Sequence, residues 1–239
     1  MLSFLAAKPP PRTKTAHQNP VTLADSNSRS AFQFYPADAP YSVKQWCPPG
    51  SRIMNPLLHI HHSQDEYFNI ESGTGIWHMP NHNDPLKRRI TISASEAKTE
   101  EERKVLVPLG EYHTFEAIGD EVLVIEAKYD GPDYETEERF FRNFFCYLND
   151  CAKAGVPPSI YQLNTFLYDF KCPPAVSVPG PQWVKYWSTC FMCWWKGRVI
   201  GQFMLGYKNS YPEYYAGKPS EDKSQQVIWT SRYGSFDLV

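Results

Sequence analysis

Between Ala31 and about Asp130 the apolar positions fall into short runs: AFQFY, YSVKQW, LLHIH, YFNI, GIWHM, RRITIS, KVLVPL, HTFEAI and EVLVIEAKY. The runs are rich in β-branched and aromatic residues. Turn clusters separate them at Pro48-Pro49-Gly50, Gly73-Thr74-Gly75, Asn81 to Pro85, Leu109-Gly110 and Gly119-Asp120. About nine short strands at this spacing predict a sandwich or barrel. After Tyr129 the period changes. Phe140, Phe141, Phe144, Phe145 and Leu148 recur at helical spacing, with acids before them and Gly155 beyond them, which predicts a helix. A second helix is expected from Ile160 to Lys171, stopped by Cys172-Pro173-Pro174. A third apolar stretch runs from Trp183 to about Tyr207. The ends are polar and turn-rich. The pattern divides the chain into a partly disordered N-terminal arm (1–30), a β-barrel (31–130), a helical appendage (131–207) and a polar tail (208–239).

Composition narrows the function classes. In 239 residues, 24 Lys and Arg face 26 Asp and Glu, so bulk charge attracts neither nucleic acid nor an anionic membrane. No uninterrupted apolar run reaches about 18 residues, so no integral membrane span is expected. Six cysteines are too few for a disulfide scaffold in a chain of this length. The start, MLSFLAAKPPPRTK, lacks the order of a secretory signal, a basic stretch before a longer apolar one. A cytoplasmic protein with reduced thiols is the expectation. Aromatic residues reach 15%, a surplus that suits a large aromatic pocket or an extensive contact surface.

The segment richest in chemistry is His59-Ile60-His61-His62-Ser63-Gln64-Asp65-Glu66, followed by Gly73. On a strand, residues i and i+2 share a face, so His59 and His61 point together and His62 points away. Glu66 opens the next run and can come alongside them if the two pair antiparallel. A third histidine, His113, follows the turn Pro108-Leu109-Gly110-Glu111-Tyr112. Three imidazoles and one carboxylate suit a divalent first-row metal: Fe, Mn, Ni, Cu or Zn.

These residues carry a resemblance. His59-x-His61-x4-Glu66-x6-Gly73 resembles the first cupin motif, and Pro108-x-Gly110-x2-His113 resembles the second. The resemblance covers about residues 31–130. It implies a mainly β, double-stranded β-helix (jelly-roll) barrel in which His59, His61, Glu66 and His113 hold one metal. Three turn and support positions depart from the motifs, which have Gly, Gly and Asn where this chain has Ile53, Glu102 and Ala117. The HIHHSQDEYFNIESGTG stretch and the aromatic tail are most similar to small single-cupin proteins of fungi, many of them associated with natural-product biosynthesis.

Phe68 shares strand parity with Glu66, and Phe115 with His113; Trp77 and Met79 are also expected to point inward. Either they are barrel core, or they form an apolar wall beside the metal that binds a planar or terpenoid-like substrate. The second reading makes them substrate-binding residues. Trp46 and Arg52 flank the first motif and could line the mouth, with Arg52 expected at the surface. Cys190-Phe191-Met192-Cys193 is a lone CxxC without a second pair or a redox context, so inert thiols are expected. The run WVKYWSTCFMCWW with Lys196 and Arg198 could lie on a membrane surface, but is expected to pack on the barrel or on a second subunit of a homodimer. The resulting function is a metal-dependent oxygenase for a small apolar or aromatic metabolite, with Glu66 as a metal ligand or a base. The alternatives are a non-redox isomerase, cyclase, dehydratase or decarboxylase, and a non-catalytic binder.

Overall fold

The computed structural model describes residues 2–24, 29–130 and 133–217. Its strands are β1 (Val21–Thr22), β2 (Ala31–Phe34), β3 (Val43–Cys47), β4 (Asp65–Ser72), β5 (Thr74–His78), β6 (Arg89–Ser93), β7 (Lys104–Val107), β8 (Thr114–Ile118) and β9 (Leu123–Asp130). They form a six-stranded sheet, β1-β2-β3-β9-β4-β7, and a three-stranded sheet, β6-β5-β8, with every pairing antiparallel. The mainly β jelly-roll expected from the motifs is therefore the fold. Strand burial alternates as the pleat requires: in β3, Val43, Gln45 and Cys47 are buried while Lys44 and Trp46 are not. Between the sheets, Phe68 of β4 packs on Trp77 of β5 and Phe115 of β8, with ring centroids 5.5 Å away in each case.

One expected strand is absent. The LLHIH run makes only isolated bridges, from His59 to His113 and to Pro174. Its second neighbour contains Pro173 and Pro174, which have no amide hydrogen to donate, so that ladder cannot propagate. The segment is held instead by Ile60 N–H on the Pro173 carbonyl and Ala175 N–H on the Leu58 carbonyl. At Gly73, between β4 and β5, φ is +76° and a Cβ would lie 2.6 Å from the Val122 carbonyl oxygen. Only glycine suits both constraints.

The six-stranded sheet is wider than its partner, and helices cover the overhang. The chain forms α1 (Tyr134–Lys153), α2 (Ile160–Asp169) and α3 (Gln182–Cys193), which continues as a π-helix over Trp194–Met204. The Asp133 side chain caps α1 by accepting the Thr136 N–H. Phe145 of α1 meets Phe32 at 5.6 Å, and Phe141 meets Phe34 at 6.3 Å and Tyr129 at 5.7 Å.

The N-terminal residues are more ordered than their polar composition suggested. Asp150 accepts hydrogen bonds from the Thr13 backbone and hydroxyl, Thr15 and Val21 are buried, and β1 pairs with β2. Of the expected polar tail, residues 208–217 are described, and there Tyr211 and Tyr214 are buried; the rest of the tail lies outside the described residues. No helix among the described residues is long and apolar enough to cross a membrane.

Candidate metal centre

Backbone pairing brings the two motifs together. His59 and His113 exchange N–H···O hydrogen bonds of 3.0 and 2.9 Å, and the Gly110 N–H donates to the His61 carbonyl at 2.8 Å. Glu66 enters from the start of β4, where its neighbours in register are Val107 and Tyr129. One ligand-type atom from each of His59, His61, Glu66 and His113 lies within 4.8 Å of all the others. His62 points away from this cluster, towards Tyr186 and Cys190.

Hydrogen bonds outside the cluster orient its lone pairs. The Leu57 carbonyl lies 2.7 Å from His59 Nδ1, and the Glu111 carbonyl lies 3.0 Å from His113 Nδ1. A carbonyl can only accept, so both Nδ1 atoms carry hydrogen, and the Nε2 atoms are the ones each ring can offer to an ion. Burial, reinforced by the neighbouring His113 and His61, holds His59 well below the usual histidine range, and burial likewise lowers His61. Burial would raise Glu66, but hydrogen bonds from His113 and His61 outweigh it and hold the carboxylate well below its usual range.

The inward atoms are too close to be left alone. His59 Nε2 lies 3.2 Å from His61 Nε2, and His113 Nε2 lies 2.8 Å from Glu66 Oε2. Lone pairs facing one another at such distances need a cation or a proton between them. Next to this, the buried Gln64 amide places nitrogen 2.9 Å from His61 Nδ1 while its oxygen has no partner. Exchanging the two amide atoms lets the oxygen accept the His61 Nδ1–H, which frees His61 Nε2 as a third inward lone pair. This donor set fits a divalent transition metal.

The cluster borders a cavity of about 290 Å³. His59, His61 and Glu66 contribute to one wall; Phe140, Phe141 and Phe144 of α1, with Phe170 after α2, contribute another. Phe140 and Phe170 stack at 4.1 Å with rings 4° from parallel. Of the four expected substrate-binding residues, only Phe115 lines the cavity. Phe68, Trp77 and Met79 are buried in the core between the sheets and are not lining residues. Parity identified their inward face but not their position along the barrel. Arg52 is exposed, as expected, and also lines the cavity; Trp46 faces away, with the Lys44 ammonium 5.3 Å from its ring.

The chain is 33% identical over 177 residues to "Probable oxidoreductase virH" of Hypocrea virens, a match spanning 72% of this chain and 73% of the relative. It belongs to the same family as this probable oxidoreductase. More distant relatives are "Oxidoreductase iacF" of Pestalotiopsis fici, 27% identical over 83% of this chain and 97% of the relative, and "Epoxidase atD" of Aspergillus terreus, 24% identical over 73% and 51%. Among solved structures, the capsular polysaccharide assembling protein CapF of Staphylococcus aureus is 21% identical over 47% of this chain and 31% of its own, with a TM-score of 0.36. No protein-family model matches the chain.

Four features of this cupin escaped the sequence reading. Tyr129 lines the cavity, hydrogen-bonds Glu66 and has its hydroxyl pKa raised well above the usual range, first by burial and then by that carboxylate. Gln45, a buried amide, stands in the same wall. The Cys172 thiol lies 3.9 Å from His61 Nε2. The phenylalanines of α1 were legible as a helical stripe, but the stripe did not say that they would roof the site.

Proposed function

We propose that this cupin oxidoreductase is a metal-dependent oxygenase acting on a small, largely apolar or aromatic metabolite. The observation that supports the reading is the juxtaposition of an aromatic chamber with the His59, His61, Glu66 and His113 cluster. A volume of about 290 Å³ lies at the small end of ligand cavities, about 300–1,000 Å³, and suits a metabolite rather than a polymer. His59, His61, Glu66 and His113 would hold the metal, which supplies Lewis acidity and, if redox-active, a centre for oxygen chemistry.

The chain's own residues divide the remaining work. Phe140, Phe141, Phe144 and Phe170 exclude water and accept a flat apolar substrate against their rings. Gln45 offers a buried amide to a substrate oxygen. Tyr129 stays protonated and donates to Glu66, which fixes the carboxylate. That same pair supports a second reading, a non-redox isomerase or cyclase, because a phenol beside a carboxylate can relay a proton. The name of atD, an epoxidase, favours oxygen insertion.

The test is turnover of candidate aromatic and terpenoid metabolites in air and under argon, after reconstitution with Fe or Zn, with mass spectrometry of the product. Oxygen gained only in air, and only with a redox-active metal, is the expected result. A product isobaric with its substrate and formed equally under argon would replace the oxygenase with the isomerase or cyclase. Tight binding without turnover under either atmosphere would leave a binding protein.

A further inference from the structure

The stretch from Gln182 to Met204 does not bury its aromatic residues. One side of the α3–π-helix packs against α2, where Gly197 and Gly201 allow the backbones to meet: a Cβ at Gly201 would lie 2.5 Å from Thr165 Oγ1, and one at Gly197 would strike the Asn164 carbonyl. Thr189 and Cys193 are buried on the same side. The other side presents Trp183, Trp187, Phe191, Trp194, Trp195 and Phe203. Trp187 is 65% exposed and Phe203 79% exposed, values unusual for aromatic side chains. The N-terminal residues extend the patch. The Leu2 N–H donates to the Met204 carbonyl at 2.6 Å, and Phe4 and Leu5 are exposed.

Charge identifies the occupant. Residues 1–24 and 170–212 carry eight of the 24 Lys and Arg and none of the 26 Asp and Glu, although Arg12 among them pairs with Glu213 just beyond. Lys185, Lys196 and Arg198 lie on the aromatic helix itself. A self-complementary contact would bring these cations against their own copies. Aromatic side chains with Lys and Arg, and no acids, match the headgroup layer of an anionic bilayer, where Trp is favoured. A cavity beside the helix points the same way. It is lined by Val176, Val178 and Lys185, and it shares Leu57 and Pro174 with the lining of the metal-centre cavity.

We infer that the α3–π-helix and the N-terminal residues form a peripheral docking surface for an anionic lipid bilayer, beside an apolar groove that adjoins the metal-centre cavity. The helix lies in the headgroup layer, with Trp187 and Phe191 inserted and Lys196 and Arg198 on lipid phosphates. Membrane docking stands independently of the reaction proposed for the centre.

The test is flotation of the full chain with vesicles of phosphatidylcholine alone and with about one-third phosphatidylserine. Binding should require phosphatidylserine and weaken with added salt. Lys196→Gln with Arg198→Gln should weaken it by roughly 25-fold, at about fivefold per charge. Trp187→Ser with Phe191→Ser should abolish it while thermal melting and metal content stay unchanged, since both side chains are exposed. Flotation of the wild type indistinguishable from this double variant would overturn the inference. So would a wild-type dimer in sedimentation velocity that the same substitutions dissociate without any vesicle binding, which would give the face to a second copy.

Discussion

The histidines of the cluster are fixed one at a time. Carbonyl groups hold His59 and His113 in one tautomer, and Gln64 holds His61. His61→Ala should therefore lower metal affinity by at least about tenfold, whereas His62→Ala, which alters a ring facing Tyr186, should leave metal content unchanged. Elemental analysis of the two proteins purified without chelator checks both outcomes, and equal loss would refute the parity assignment. The motif spacing named the four residues that the fold clusters, His59, His61, Glu66 and His113, although residues 59–61 form no strand and Glu66 pairs with Val107 and Tyr129 instead of with them. Strand parity could not separate Phe115, in the cavity wall, from Phe68 and Trp77, in the core, because depth along the barrel is set by register. Another buried acid gives a pH signature. Burial, more than the charges of Asp133 and Glu66, raises Glu137 to about 7 despite a hydrogen bond from Ser42. The folded state then binds a proton that the unfolded chain releases near 4.5, so this stabilisation is complete below about pH 4.5 and is lost as pH rises through about 7. Glu137→Gln should flatten that part of the profile and stabilise the protein at pH 8 by about 2 kcal/mol, measured by urea unfolding across pH.

Among the elements, α1 has two faces with different duties. Phe145 packs on Phe32 of the sheet, while Phe140 stacks on Phe170 over the cavity. Phe141 belongs to both groups, touching Phe34, Tyr129, Phe145 and Phe170. Phe141→Ala should cost about 3–5 kcal/mol in denaturant unfolding, the range for deleting a buried aromatic ring. The crossing of α2 and the π-helix is under the opposite constraint. Gly197→Leu would drive a side chain into the Asn164 backbone, and a lowered melting temperature, with a cost of about 1–3 kcal/mol, is expected. The helical period of the aromatic residues of α1 was plain in the sequence, the two predicted helices lie where expected, and the third apolar stretch is α3 with its π-helical continuation. The LLHIH strand failed because proline in its spatial neighbour, 115 residues onward in the case of Pro174 and His59, acts through tertiary pairing that a local pattern does not contain.

At the scale of the molecule, the barrel and its helices depend on one another. A six-stranded sheet faces a three-stranded one, so part of its inner surface has no β partner. Phe32 and Phe34 lie on that part, fully or almost fully buried, and rings of α1 cover them. Tyr129 at the end of β9 packs on Phe141 and Phe170, so the helices also complete the environment of Glu66. Truncation after Asp130 would uncover these aromatic side chains together and remove one wall of the cavity. Each ring left in water forfeits about 1.5–3 kcal/mol of burial, and several adjacent ones exceed the margin of a marginally stable domain. The expected outcome is insoluble protein, or soluble aggregates that bind a hydrophobic dye, assessed by soluble yield and size-exclusion chromatography against the full chain. A soluble, monomeric and cooperatively melting 1–130 fragment would show instead that the helices are a separable module added to a self-sufficient barrel.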